Sequence, residues 1–242
     1  VIEKGGVNFS AVHGELPDNI RQALNVSVAN FYATGLSIVL HPSNPEMPII
    51  HMNIRYFELA NGEFWFGGGI DLTPHYADKS DAAWFHQQLK NTCDAFDGSF
   101  YPKFKKWADD YFFIKHRNET RGIGGIFFDR LNSDLPKEKL LEFILAVGKT
   151  VVPVYTHFMS IKRDISFTEA DKKWQFLRRG RYVEFNLVYD KGTKFGLDTE
   201  GRIESILMSL PENAGWFYNY SPTTGSRESE TLSLLKKGID WI

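Results

Sequence analysis

The sequence predicts an α+β fold, an antiparallel sheet with helices packed on it, within a single domain of residues 1–242. Three observations lead there. Some runs alternate apolar and polar side chains and are joined by hairpin signals, while others carry apolar residues at three- and four-residue steps. Glycine and proline fall singly or in short clusters, with no internal repeat and no low-complexity tract. With 43% hydrophobic and 15% aromatic residues, the chain has ample material for one packed core.

Thr34 to Leu40 reads as a strand, stopped by His41-Pro42-Ser43-Asn44-Pro45, whose two prolines remove ladder donors. Ile49 to Glu58 is a second strand. Asn61-Gly62 supplies a tight hairpin, and Glu63 to Phe66 returns antiparallel. Ser80 can cap a helix carrying Ala82, Phe85, Leu89, Cys93 and Phe96 on its inner face. Pro102 suits the first turn of another, with Phe104, Ala108, Tyr111 and Phe112 inward, ending near Arg117. Ile126 to Phe128 is a short strand, Leu140 to about Phe158 a long buried helix, and Thr168 to Arg179 a further helix. Tyr182 to Tyr189 alternates as a strand would; Asp190-Lys191-Gly192 turns, and Ile203 to Met208 can pair back.

The formal charge of −2 provides no field to attract nucleic acid. Cys93, the single cysteine, cannot form an intrachain disulfide and sits at helical spacing among apolar residues, as a core side chain. No stretch reads as about 20 uninterrupted apolar residues, because Glu142, Lys149 and Pro153 break the most apolar helix, so no transmembrane segment is expected. The chain begins at Val1 without methionine; the expected location is cytoplasmic, or the mitochondrial intermembrane space if a targeting segment precedes it.

Chemistry concentrates first on the strand Ile49 to Glu58, where alternation puts His51, Asn53 and Arg55 on one face and Ile50, Met52, Ile54 and Tyr56 on the other. Such a polar row is either a site or a solvent-facing sheet surface. In Trp65 to Pro74, three consecutive glycines, Gly67 to Gly69, precede Asp71. They suit close approach of a ligand to the backbone, or a plain glycine turn with Asp71 capping the next element. Of seven histidines, His41, His51, His86 and His116 lie in segments that could converge, yet their spacing matches no compact metal signature. Lys103, Lys105 and Lys106 read as a solvated helix face. Arg178, Arg179 and Arg181, and the glycine-rich stretch with Arg117 and Arg121, could each hold an anion, but without Walker or Rossmann spacing.

The chain carries, in order, Gly6-Val7-Asn8-Phe9-Ser10, Ser37 to Pro42, His51-Met52-Asn53-Ile54-Arg55-Tyr56-Phe57, and the triple glycine with Asp71-Leu72-Thr73-Pro74. Lys115 to Glu119, Arg121 to Gly125, Tyr182 to Leu187 and Glu204 to Ser209 come after them. These blocks cover nearly the whole chain and resemble the oxygen-dependent coproporphyrinogen-III oxidases. The resemblance implies a large antiparallel sheet flanked by helices on both faces. It also implies an upstream glycine-rich basic segment that this sequence does not contain. A homodimer is implied too, formed through about Tyr182 to Trp216. Substrate contacts fall at Ser37, Asn53, Ile54, Arg55, Gly201 and Arg202, and catalytic roles at His51 as proton donor, Asp71 and Arg55. His41, His51, His86 and His116 match histidines whose divalent-metal role is disputed in the family, and no metal is favoured. Glu200 and Ile203 depart from the family pattern around Arg202.

The implied reaction converts two propionates of coproporphyrinogen III to vinyl groups, giving protoporphyrinogen IX in haem synthesis. Dioxygen is the co-substrate and no cofactor is required. Asp71 would hold or deprotonate pyrrole NH groups, Arg55 would fix a propionate, and His51 would move a proton. Two rival classes stay open: a non-catalytic tetrapyrrole carrier and a histidine-ligated metal oxygenase.

Overall fold

The computed structural model describes residues 1–18, 21–22, 25–28, 30–132, 135–198 and 201–242. Its centre is a five-stranded antiparallel sheet in the order β1-β2-β3-β4-β7. The strands are β1 (Ile2–Glu15), β2 (Asn30–Pro42), β3 (Ile49–Leu59), β4 (Phe64–Thr73) and β7 (Gly125–Leu131). A two-residue ladder joins β5 (Phe113–Ile114) to β6 (Glu119–Thr120). The helices are α1 (Lys79–Asp94), α2 (Phe100–Tyr111), α3 (Lys137–Lys162), α4 (Glu169–Val188), α5 (Lys191–Asp198), α6 (Ile203–Leu207) and α7 (Arg227–Leu234).

The α+β expectation holds, and the strands run longer than the alternation alone suggested. β2 ends at Pro42, as its missing N–H requires. The turn between β3 and β4 closes through Leu59 and Glu63, with Gly62 at a φ of 87°, a conformation glycine adopts without a Cβ clash. β4 then continues straight through the triple glycine, so Gly67 to Gly69 form neither a turn nor a loop.

One face of the sheet carries the main core. Ile50, Met52, Ile54, Phe66, Ile70, Leu72, Ile126 and Phe128 point into a layer built from α1, α2 and α3. Phe143 on α3 meets Phe96, Phe100, Phe104 and Phe128 with ring centroids 4.9–6.0 Å apart. Each such pair adds about 0.5–1.5 kcal/mol beyond area burial. By length and composition α3 meets the test of a membrane span, with mean hydropathy 1.3. Its inner face, Leu140, Phe143, Val147, Val151, Val154 and Phe158, packs as the core helix of a sheet would.

Three local expectations need correction. The cap of α1 is Asp78, whose carboxylate accepts from the backbone N–H groups of Ser80 and Asp81, and not Ser80. α2 stops at Tyr111 and does not reach Arg117, because Phe113 and Ile114 pair with Thr120 and Glu119. Tyr182 to Tyr189 is no strand. A capping box between Thr168 and Asp171 starts α4, which runs to Val188, with Trp174, Leu177, Arg178, Tyr182 and Phe185 buried at helical spacing. Over eight residues the two periods can be confused. The expected turn at Lys191 instead opens α5, and Ile203 to Met208, expected to pair back, holds the short α6.

Candidate active site

On the opposite face the side chains fall into rows across the sheet. Val39, His51, Asp71 and Gly125 form one row; Ser37, Asn53, Gly69 and Phe127 the next; Gly35, Arg55 and Gly67 the third. α4 covers only the first end, where Tyr182 packs on Val39 and Ile49. α6 lies over β1: the Asn8 amide donates to the Ser205 carbonyl, and a Cβ on Gly6 would stand 2.3 Å from the Met208 sulfur. Helices thus flank both faces, but the second face is open from Ser37 and Asn53 outward.

At the covered end stands Asp71, 2% exposed. Both its oxygens accept from Arg121 Nη2, at 2.9 and 2.8 Å, and Oδ1 is also 2.7 Å from His51 Nδ1. Burial alone would raise the Asp71 pKa, but the Arg121 charge and the His51 hydrogen bond outweigh it and hold the carboxyl below its ordinary value. An ionised carboxylate only accepts, so His51 Nδ1 carries the proton and Nε2 is left free, on a side chain that keeps partial exposure. Arg121 is itself enclosed. Its guanidinium carbon lies 4.5 Å from the Phe112 and Tyr182 ring centroids and 4.7 Å from that of Phe185, and Nη1 donates to Asn186 Oδ1 at 2.7 Å.

Two rows away, Arg55 lies between glycines on both neighbouring strands. A Cβ on Gly67 would stand 2.6 Å from Arg55 Nε, and one on Gly35 would stand 2.7 Å from the Ile54 carbonyl oxygen. On Gly69 it would stand 2.5 Å from the Ile126 carbonyl oxygen. The glycines therefore keep the floor low and leave the arginine room to lie across it. Arg55 Nη2 donates to Asp129 at 2.8 Å and Nη1 to Asn53 at 3.2 Å. This half-exposed ion pair is worth about 0–1 kcal/mol, so an incoming carboxylate can compete for the fork. Stacked rings bound the strip: Tyr111 on Phe127 at 4.0 Å along one side, and Phe31, Phe57 and Trp65 at the far end.

A low floor of glycine, an arginine fork and a buried carboxylate bonded to a histidine suit a ligand that carries carboxylates. The coproporphyrinogen III oxidase family profile matches residues 1–241. The chain belongs to the coproporphyrinogen III oxidase family. It is 50% identical over 257 residues to coproporphyrinogen-III oxidase 1, chloroplastic, of Arabidopsis thaliana, and 51% identical over 256 residues to the mitochondrial oxygen-dependent enzyme of Homo sapiens. The oxygen-dependent enzyme of Drosophila melanogaster is 49% identical over 255 residues. Each alignment takes in the whole of this chain but only 66%, 56% and 65% of the respective relative, so the chain spans less than two thirds of their length.

Of the residues that the coproporphyrinogen III oxidase resemblance marks for substrate, Ser37, Asn53 and Arg55 share the open face, adjoining His51 and Asp71. Ile54 does not: its side chain is 7% exposed in the core beneath the sheet, because neighbours on a strand face opposite ways. Gly201 closes on the Gly196 carbonyl, and Arg202 begins α6 as an exposed residue. Glu200 lies outside the described residues.

The four candidate metal histidines have separate partners. His41 is bonded to the Ser209 carbonyl, His51 to Asp71, His86 to Tyr101 and the Ile123 carbonyl in the helix layer, and His116 to Glu184 and Tyr189. Among the described residues no three His, Cys, Asp or Glu side chains gather as a metal would need. The set does not fit a single ion.

The basic clusters resolve into internal pairs: Arg178 with Glu119, Arg179 with Glu3, and Arg117 and Arg181 with Glu184. All of Arg178, Arg179 and Arg181 lie within α4, which the sequence reading ended at Arg179. Glu184, pressed by burial upward but by its Arg117 and His116 hydrogen bonds and the Arg181 charge more strongly downward, is lowered to about 2. Sequence reasoning saw Arg121 only as one of two arginines in a glycine-rich loop; its anion is Asp71, fifty residues away. Asp129 and Phe31 carried no sequence signal, while Phe127 and Asn186 entered only as members of a predicted strand and of a family block.

Proposed function

We propose that this chain carries the catalytic region of an oxygen-dependent coproporphyrinogen-III oxidase, converting two propionates of coproporphyrinogen III to vinyl groups and giving protoporphyrinogen IX. The observation that carries the reading is the Arg121–Asp71–His51 file at the head of a glycine-floored strip on which Arg55 lies. Membership of the family supports it.

For each propionate, the carboxylate leaves as carbon dioxide and the carbon next to the ring loses a hydrogen, so a carbon–carbon double bond forms. The two electrons released, with two protons, reduce one dioxygen to hydrogen peroxide; one proton comes from the substrate and one from solvent. The electron-rich tetrapyrrole is the electron source, which is why no organic cofactor is invoked. Arg55 takes a propionate in its planar fork. His51, turned by Asp71 so that Nε2 faces the open side, moves the proton. Asp71 is buried, charged and already accepting three hydrogen bonds, so its part is to orient and balance His51 more than to act as a free base.

The proposed partner is a second copy of the chain. Leu187, Val188, Phe195, Leu197, Ile203 and Trp216 are all exposed within the Tyr182 to Trp216 segment, an apolar surface of the kind subunit contacts cover. Helices, not strands, would make that contact. Two relatives are named as chloroplastic or mitochondrial, which favours an organelle over the cytoplasmic placement expected from sequence.

The deciding experiment is turnover of coproporphyrinogen III by the full-length protein after exhaustive chelation, with dioxygen consumption followed. Protoporphyrinogen IX should form. Tight binding with no product would make the protein a carrier, and activity restored by one equivalent of a metal would make it a metal oxygenase.

A further inference from the structure

Asn186 sits on α4, one turn beyond Tyr182, and is 4% exposed. It does not reach the open strip. Its carbonyl oxygen accepts from Arg121 Nη1 at 2.7 Å, and its amide donates to Ser209 Oγ at 3.4 Å. The Ser209 hydroxyl donates in turn to the Ile206 carbonyl at 3.1 Å, while its own backbone carbonyl accepts from His41 Nε2 at 2.8 Å. The amide is therefore held from two sides, and its oxygen is aimed at a guanidinium whose Nη2 holds Asp71.

We propose that Asn186 is a positioning residue for the reaction, acting through Arg121 to fix Asp71 and hence the orientation of His51. The three aromatic rings around Arg121 confine the guanidinium but are sequence-tolerant in direction: a ring face attracts a cation without selecting which nitrogen points where. Only hydrogen bonds choose the rotation. Asp71 takes Nη2 and Asn186 takes Nη1, so together they set the plane of the fork. Without the Asn186 oxygen, a buried donor loses its partner at a cost of about 1–3 kcal/mol. The guanidinium then has reason to turn away from Asp71.

The charged and titratable groups facing the pair are His51 on β3, His41 on β2, Tyr111 on α2, Tyr182 on α4 and Asp190 just beyond α4. Among the described residues, Arg121 is the permanent positive charge that lowers Asp71. If that charge moves off, burial is opposed by His51 alone and the carboxyl rises. The acid limb of the rate profile should rise with it.

The inference rests on the functional reading above, and its test is built to separate the two. In the full-length protein, Asn186→Leu keeps the branched heavy-atom outline and removes the acceptor. It should lower kcat about 10-fold, as misplacement of a proton-transfer group does. KM should change less than about twofold, because Asn186 lies off the open face, and the acid limb should move to higher pH. Leu140→Ala, a remote core change that matches or exceeds it in loss of Tm, should leave the acid limb in place. Should Asn186→Leu fail to fold, Ser209→Ala, which removes the hydroxyl anchoring the amide, should shift the limb in the same direction by less. The carboxyl carbon resonance of Asp71, titrated in wild type and variant, reads the same coupling without turnover. An Asp71 titration and acid limb unmoved in the variants, or moved equally by Leu140→Ala, would overturn the role of Asn186. Wild-type protein that fails to turn over coproporphyrinogen, while the Asp71 resonance still shifts in the variant, would overturn the functional reading and leave the coupling standing.

Discussion

The two faces of strand β3 differ in what happens to neighbouring residues of one short run. Ile50, Met52 and Ile54 enter the helix layer at 0–7% exposure, while His51, Asn53 and Arg55 face a strip that α4 covers at one end only. Helices seal the first face of β3 from Ile50 to Ile54, while on the second the buried charges, Asp71 and Arg121, are paired with each other. The difference shows how stability and chemistry share one sheet. Apolar burial can be continuous because it asks for nothing but contact, whereas each buried charge needs a specific partner, so the polar face is closed no further than its pairs allow.

The largest effect is expected where the two demands meet. Asp71→Asn should lower turnover by about 10²-fold or more. It should also destabilise the fold by about 3–5 kcal/mol, because Arg121 keeps its charge without a counter-charge. Parallel kinetics and calorimetry check both, and an active, stable Asn variant would place Asp71 outside the mechanism. The pair's pH dependence has a definite sign. Asp71 is lowered from 3.8 in the fold, so its stabilisation is fully present above that value and is lost as pH falls through the lower folded value. In the Asn variant that part of acid unfolding should vanish.

Phe128→Ala sharpens the contrast from the other side. Phe128 touches Phe104 and Phe143 in the sealed layer, so about 3–5 kcal/mol of stability should go, while kcat well below the melting temperature stays near wild type. A specific loss of kcat in fully folded protein would show that the faces are not separable.

The smallest effects come from the glycine floor, where adjacent positions should respond differently. Gly69→Ala drives a methyl to within 2.5 Å of a main-chain oxygen that cannot step aside, and should cost about 1–3 kcal/mol. Gly67→Ala meets only the guanidinium of Arg55, which can swing, so stability should change by less than about 0.5 kcal/mol while KM rises several-fold. Equal effects on stability and KM at both positions would mean that Arg55 is not held across the floor.

Much of the site was legible from alternation, since a strand that repeats every two residues necessarily puts His51, Asn53 and Arg55 together. The role of the triple glycine was not. Its glycines sit mid-strand without positive φ angles, and the groups they make room for, Arg55 and the Ile126 carbonyl, come from neighbouring strands. Residues 182–189 misread as a strand because eight residues hold little more than two helical turns, and the capping box that makes them helical lies more than ten residues earlier.

By itself the sequence determined the clearest periodicities: the strand character of β2, β3 and β4, the helical character of α1 and α3, where Pro42 and Gly62 stop or turn the chain, and which β3 side chains share a face. Those arise from local sterics and a fixed repeat. Tertiary structure alone decided that Arg121, not a ligand, neutralises Asp71; that Asn186 orients Arg121; that Asp129 already shares Arg55; and that the four histidines stay apart. Each of these is a contact across 50 or more residues, or a failure to converge, and depends on sheet register and helix docking that no local repeat encodes.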